Sequence, residues 1–152
     1  DMDQVQVVVQ PQSVIHSMIE FVDGAIIAQL GTPDMKLPIQ YALYYPERRY
    51  LPGARLDFDT LHQITLEKPD FDNFRGLSMA YEAGRIGGSM PTVFNAANEY
   101  AVSRFLHHEI AYLTITDMIE KAMRSHHVIF HPTVEQILET EQETYDRLKS
   151  GI

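Results

Sequence analysis

Cysteine is absent from this sequence. That removes a disulfide framework and every thiolate metal site, and it fits a reducing, cytoplasmic setting. Basic residues are few: 12 Lys and Arg face 21 Asp and Glu, for a net charge of −9. Nucleic acid and anionic membrane both demand basic patches, so neither is an expected partner. No apolar run approaches the ~20 residues of a membrane span, and no leader pattern is read ahead of the first strand. There is no GxGxxG, P-loop, GxSxG or HExxH motif, no internal repeat and no low-complexity tract. An initial Met is also lacking, and the chain enters a β-branched run, Val5 to Val9, almost at once. A strand apolar on both faces needs sheet neighbours that these residues do not offer, which suggests a portion of a longer protein. Against these absences stands an apolar content of 45% over 152 residues, enough to bury the core of one ordinary domain or of a small domain with an appendage.

The stretch from Pro11 to Leu43 is the most informative. Asp23-Gly24 lies between two apolar runs, Ser13 to Val22 and Ala25 to Leu30, a strong hairpin signal with a type I′ turn expected. Pairing Val22 with Ala25 sets Met18 against Gln29 and His16 against Gly31. That register delivers His16 to the loop Gly31-Thr32-Pro33-Asp34-Met35-Lys36, with a glycine opposite to leave room for an approaching group. Both hairpin faces carry apolar residues, so both are expected to be covered. Leu37 to Tyr45 reads as a short helix with Pro38 in its first turn.

Residues 46–71 change texture. They are dense in Pro, Gly and charge, with a single helical turn expected near Thr60 to Gln63, and they read as a linker. The remainder is helical. One helix runs from Phe74 to Arg85 and one from Pro91 to His108, with Ser89 as N-cap. Ile115, Met118, Ile119, Ala122 and Met123 then recur at i, i+3, i+4, i+7 and i+8, with Thr114 and Asp117 as a capping box. The last helix opens at Thr133-x-x-Gln136 and is expected to turn Val134, Ile137, Leu138, Tyr145 and Leu148 inward. The fold class is therefore α+β: an N-terminal strand, hairpin, loop and helix over 1–45, a linker over 46–71, and a four-helix bundle over 72–152.

Several residues carry competing readings. His16 is a satisfied strand histidine, or it binds an anion such as phosphate or moves protons near neutral pH. Met35 fills a core gap, or it walls a pocket against a flat ring or carbon chain. His126, His127 and His131 have zinc-like spacing but no arranged carboxylates, so a solvated helix end competes with a metal site. Asn95, Asn98 and Glu99 form an interhelical hydrogen-bond network or a site.

The run PQSVIHSMIEFVDGAIIAQLGTPDMKLPIQYAL, with LDF after it and FNAANEYAV later, resembles the C-terminal portion of the 1-deoxy-D-xylulose 5-phosphate reductoisomerase family. The resemblance is most specific in the hairpin and the GxPDM loop, good at NAANE and loose in the last helices. It implies the end of a catalytic domain, a linker and a helical bundle. It further implies an enzyme that rearranges the ketose phosphate and reduces it with NADPH, with Mn, Mg or Co as divalent cation, in isoprenoid biosynthesis. By the same resemblance His16 matches a substrate-site histidine near the phosphate, and Pro33 and Met35 match loop residues that wall the nicotinamide and substrate pocket. The family's metal ligands and catalytic residues match no position here, so this chain alone is expected to bind neither cofactor nor metal and to be inactive. The resemblance also implies a homodimer through the sheet. Two departures stand out: Gln10 where the family usually has histidine, and Lys36 where it usually has arginine. A non-catalytic, stand-alone dimerisation or ligand-binding module is the alternative.

Overall fold

The computed structural model describes residues 2–151. They form two strands, β1 (Ile15–Glu20) and β2 (Ile26–Leu30), and six helices. The helices are α1 (Lys36–Tyr44), α2 (Phe58–Leu61), α3 (Arg75–Ile86), α4 (Met90–Leu106), α5 (Tyr112–Ser125) and α6 (Val134–Lys149). The class is α+β. Two compact units result, one of residues 7–69 and one in which the residues up to Gln6 join those from Asp70 onward.

The helical unit is organised around α4, which packs against α3, α5 and α6. Its inner stripe of Val93, Ala97 and Ala101 is almost wholly buried, and the two alanines let neighbouring helices approach closely. Met79 and Ala83 of α3, Ile115, Ile119, Ala122 and Met123 of α5, and Leu148 of α6 complete the core. Arg75 of α3 reaches across to Asp117 (3.1 Å) and Glu120 of α5, an exposed clasp over that core.

Helix entrances follow local chemistry. α6 carries a complete capping box: Thr133 Oγ1 accepts the Gln136 N–H, and Gln136 Oε1 accepts the Thr133 N–H. The Thr114–Asp117 box does not form. α5 begins three residues earlier than that box requires, at Tyr112, and its N-cap Ala111 has no polar side-chain atom to offer. Ser89 does occupy the N-cap of α4, but its hydroxyl is engaged elsewhere and makes no capping bond.

The inward face of α6 also departs from expectation. Leu148 is buried as expected and Tyr145 is half-buried, but Val134, Ile137 and Leu138 are exposed, and Thr140 and Thr144 are buried in their stead. The physical reason lies in the threonines. Thr140 Oγ1 donates to the Gln136 carbonyl and Thr144 Oγ1 to the Thr140 carbonyl, both at 2.7 Å, so each hydroxyl is satisfied within its own helix.

Met2–Gln4 form a 3-10 turn, and the strand expected over Val5 to Val9 does not form beyond one isolated bridge. Tyr81 Oη donates to the Val5 carbonyl at 2.9 Å, which fastens this segment to α3. Val5, Val7, Val8 and Val9 are exposed, and only Val9 finds a ladder partner, in an isolated bridge to Glu67. β-branched residues make a strand only where a neighbouring strand accepts their hydrogen bonds.

Residues 46–69 lack regular structure apart from α2 and Val9's bridge partner Glu67, yet they are stitched down within their own unit. Gln12 and Thr65 exchange two hydrogen bonds, Gln40 Nε2 donates to the Tyr50 carbonyl, and Thr32 Oγ1 donates to the Ala54 carbonyl.

Two glycines give opposite expectations. Gly88 has φ +57°, and an added Cβ would sit 2.4 Å from the Ile129 carbonyl oxygen, a backbone atom with nowhere to go. Gly76 lies within α3, and its nearest neighbour to such a Cβ is Thr116 Cγ2 at 3.9 Å. Denaturant unfolding should show Gly88→Ala losing about 2 kcal/mol or more and Gly76→Ala gaining about 0.5–1 kcal/mol.

Candidate functional site

The hairpin determines what is presented at its open end. Observed pairs are Glu20↔Ile26, Ile19↔Ile27, Met18↔Ala28 and Ser17↔Gln29. This is one residue off the register expected from a two-residue turn. A type I′ turn needs positive φ at both central residues; of Asp23 and Gly24, only Gly24 (φ +83°) has it. The chain instead makes a three-residue turn. The Gly24 N–H donates to the Phe21 carbonyl at 2.9 Å, and the Phe21 N–H donates to the Ala25 carbonyl at 2.8 Å.

A second irregularity follows. The pairing jumps from Ser17↔Gln29 to Ile15↔Leu30, so His16 is the extra residue of a β-bulge. Gly31 then donates its N–H to the Val14 carbonyl at 3.0 Å, and its opposite number is Val14 rather than His16. Bulges re-aim side chains at sheet ends and beside sites. His16 is exposed and its ring has no hydrogen-bond partner among the described residues.

The loop after β2 is held by its own polar atoms. The Asp34 N–H donates to the Thr32 carbonyl at 2.8 Å, and Asp34 Oδ1 accepts the Lys36 N–H at 2.9 Å, fixing the entrance of α1. Pro33 and Met35 are exposed, Met35 by 71%. The bulge and ladder thus bring His16, Pro33 and Met35 to the same end of the hairpin, all three open to contact. Gly31, Thr32 and Asp34 line a groove of about 270 Å³, together with α1 and residues 47–56. Arg48 stacks on the Tyr41 ring there, 3.6 Å from its centroid. Sequence reading left Tyr41 and Arg48 unmarked. The Arg48-Arg49 pair in an otherwise acidic chain, close after a tyrosine-rich helix, was the available signal.

Gln10 takes a structural part. Its Oε1 accepts the N–H groups of Val14 (2.7 Å) and Ile15 (3.3 Å), and its Nε2 donates to Gln12 Oε1 at 2.6 Å. It ties down the turn that launches β1.

The remaining candidates are scattered. Among the described residues no group of three or more His, Asp or Glu is placed to hold a metal ion. His126 is hydrogen-bonded to Ser89, and His107 Nδ1 lies 2.7 Å from the Ser103 carbonyl oxygen. Asn95 and Glu99 are exposed on α4, and with Asn98 they form no interhelical network among the described residues. Nor does the glycine-rich entrance of α4 fit a dinucleotide phosphate. Gly88 abuts the Ile129 carbonyl, which also takes the Ser89 N–H.

Fold and site define an α+β chain with two units: one in which a bulged hairpin presents an exposed loop, and a helical one with its own core. A model of the DXP reductoisomerase C-terminal domain matches residues 30–147. The chain belongs to the DXP reductoisomerase family. It is 64% identical over 146 residues to the 1-deoxy-D-xylulose 5-phosphate reductoisomerase of Lachnoclostridium phytofermentans, covering 95% of this chain and 38% of that relative. It therefore spans well under half of that relative's length. Among solved structures it resembles the Zymomonas mobilis reductoisomerase in complex with NADPH (TM-score 0.85, 41% identity, 94% of this chain and 38% of that one). It also resembles a DOX-P reductoisomerase in complex with NADPH, fosmidomycin and magnesium (TM-score 0.90, 36% identity, 97% and 38%).

Replacing Gln10 with alanine leaves the Val14 and Ile15 amides without their acceptor. Amide hydrogen exchange at those two positions should accelerate, and the chain should lose about 1–2 kcal/mol, while the helical unit stays protected.

Proposed function

We propose that this chain forms the C-terminal portion of a reductoisomerase that converts 1-deoxy-D-xylulose 5-phosphate to 2-C-methyl-D-erythritol 4-phosphate with NADPH and a divalent cation, in cytoplasmic isoprenoid biosynthesis. The observation that carries the reading is the 64% identity to the L. phytofermentans enzyme over 95% of the chain. In this reading His16 contacts the phosphate end of the sugar phosphate. Its exposed, unpartnered ring in a bulge supports that role. Pro33 and Met35 wall the nicotinamide and substrate pocket and exclude water from it, a role that their exposure on a rigidly tied loop supports. Metal and dinucleotide are held by parts of the enzyme that this chain does not supply, so the chain by itself is catalytically silent.

The test joins this chain to the N-terminal remainder of the L. phytofermentans relative. The chimera should oxidise NADPH with substrate and Mg²⁺, whereas the 152-residue chain alone should not. In the chimera, His16→Ala should raise KM for the sugar phosphate about 10–100-fold with a smaller change for NADPH. Turnover by the chain alone, or an unchanged KM in the variant, would overturn the assignment.

The reading also includes a homodimer through the hairpin, with neither nucleic acid nor membrane as partner. No helix among the described residues is long and apolar enough to cross a membrane. One hairpin face carries the Ile19–Ile27 pair, exposed by 62% and 63%, and the other carries Ile26 at 60%. A two-stranded hairpin with apolar residues on both faces is marginal in water until something covers it. Sedimentation should find a dimer, and Ile27→Lys should shift it to monomer without disturbing the helical unit.

A further inference from the structure

The turn between α3 and α4 and the loop between α5 and α6 meet around one hydroxyl. Ser89 is fully buried, at 0% exposure. Its N–H donates to the Ile129 carbonyl at 3.0 Å, and its Oγ accepts the Ile129 N–H at 2.9 Å. The same Oγ lies 2.7 Å from His126 Nε2. Gly88 presses against this joint so closely that no side chain fits between it and the Ile129 carbonyl.

A serine hydroxyl has a single hydrogen to give. With the Ile129 N–H arriving from one side, that hydrogen finds an acceptor, among the described residues, only at Nε2. Nε2 must then be bare, so the joint selects a neutral imidazole with its proton on Nδ1. An imidazolium has N–H groups at both ring nitrogens; its Nε2–H would confront the hydroxyl hydrogen and leave it unpaired in a buried place.

The charges around the ring act in the same sense on balance. From α6, Arg147 donates to the Ser125 carbonyl at 3.4 Å and pairs with Glu143 at 3.2 Å. His127 neighbours the ring in its own loop. The small cavity beside His126 is lined by Val93 of α4, Ala122 and Ser125 of α5, and Thr144, Arg147 and Leu148 of α6, with Arg147 the one charged group. Burial first, then Arg147, hold the His126 imidazole below its ordinary value; Glu143 pulls the other way, and His127 lowers it slightly further.

We propose that the Ser89–His126 hydrogen bond is a proton-operated latch. Proton uptake by His126 releases the loop His126–Pro132 from the α3–α4 turn while the four helices stay packed. The core lies mainly in the helices themselves, with Val128 the loop's own contact to it. A histidine disfavoured as a cation in the closed form binds its proton more readily in the open one. Closure is therefore complete above the free histidine value of about 6.5, and it is lost as pH falls through the lower value of the closed form.

Amide hydrogen exchange on the 152-residue chain reads this directly. Protection at the Ile129 N–H, corrected for the intrinsic rate, should fall about tenfold or more between about pH 7.5 and pH 5, while mid-α4 amides such as Ala97 keep theirs. His126→Gln places an oxygen acceptor near the Nε2 position and cannot titrate, so Ile129 should stay protected at both pH values. Ser89→Ala should leave Ile129 poorly protected throughout; should that variant fail to fold, the His126→Gln comparison decides alone. Constant Ile129 protection in the parent chain, an equal fall in His126→Gln, or parallel loss at Ala97 would each overturn the latch.

Discussion

The join between the α3–α4 turn and the α5–α6 loop depends on a polar contact at the margin of an apolar core. Ser89 sits with no exposure at the head of α4, and its hydroxyl and amide both serve the α5–α6 loop instead of its own helix. An isolated buried hydroxyl is costly, whereas one bonded as both donor and acceptor fixes geometry in a way that non-directional apolar packing does not. The bond sets where α4 starts relative to the loop that precedes α6. Val93, Ala97 and Ala101 pack with the α5 side chains and Leu148 in an apolar cluster of their own.

The unit of residues 7–69 is built on another principle. Among its described residues Val14 is the one hydrophobic side chain that is buried. Its order comes from hydrogen bonds: the ladder, the Gln10 and Gln12 side chains, and the Asp34 cap. Individual hydrogen bonds of this kind add little net stability in water.

Much of this architecture was legible in the residues. The spacing of Ile115, Ile119, Ala122 and Met123 marked the buried face of α5, and Thr133 with Gln136 marked the start of α6, because both signals are local and periodic. The hairpin was legible as an element but not in register. Asp-Gly is compatible with both a two-residue and a three-residue turn, and nothing in the composition of IHSMIE announces a bulge. The inward face of α6 escaped because hydropathy scores threonine as polar, and takes no account of a hydroxyl satisfied one turn back. The Val5–Val9 run has strand composition, but composition cannot supply the partner strand. His16 stood out through the expected register and Met35 through its irregular loop, and the family resemblance added Pro33; their shared placement at the hairpin's open end rests on a geometry different from the expected one.

That geometry makes the turn at Val22-Asp23-Gly24 act as a gauge. One residue of offset arises at the turn and a second at the bulge, so Gly31 meets Val14 instead of His16. The two offsets together measure out how far the second strand runs before the loop departs. A single residue inserted or deleted at the exposed tip would be transmitted along the ladder and re-index the histidine against the Pro33–Met35 loop, without altering any residue at that end. Loop tips ordinarily tolerate changes of length; this one is dimensionally coupled to the face it supports.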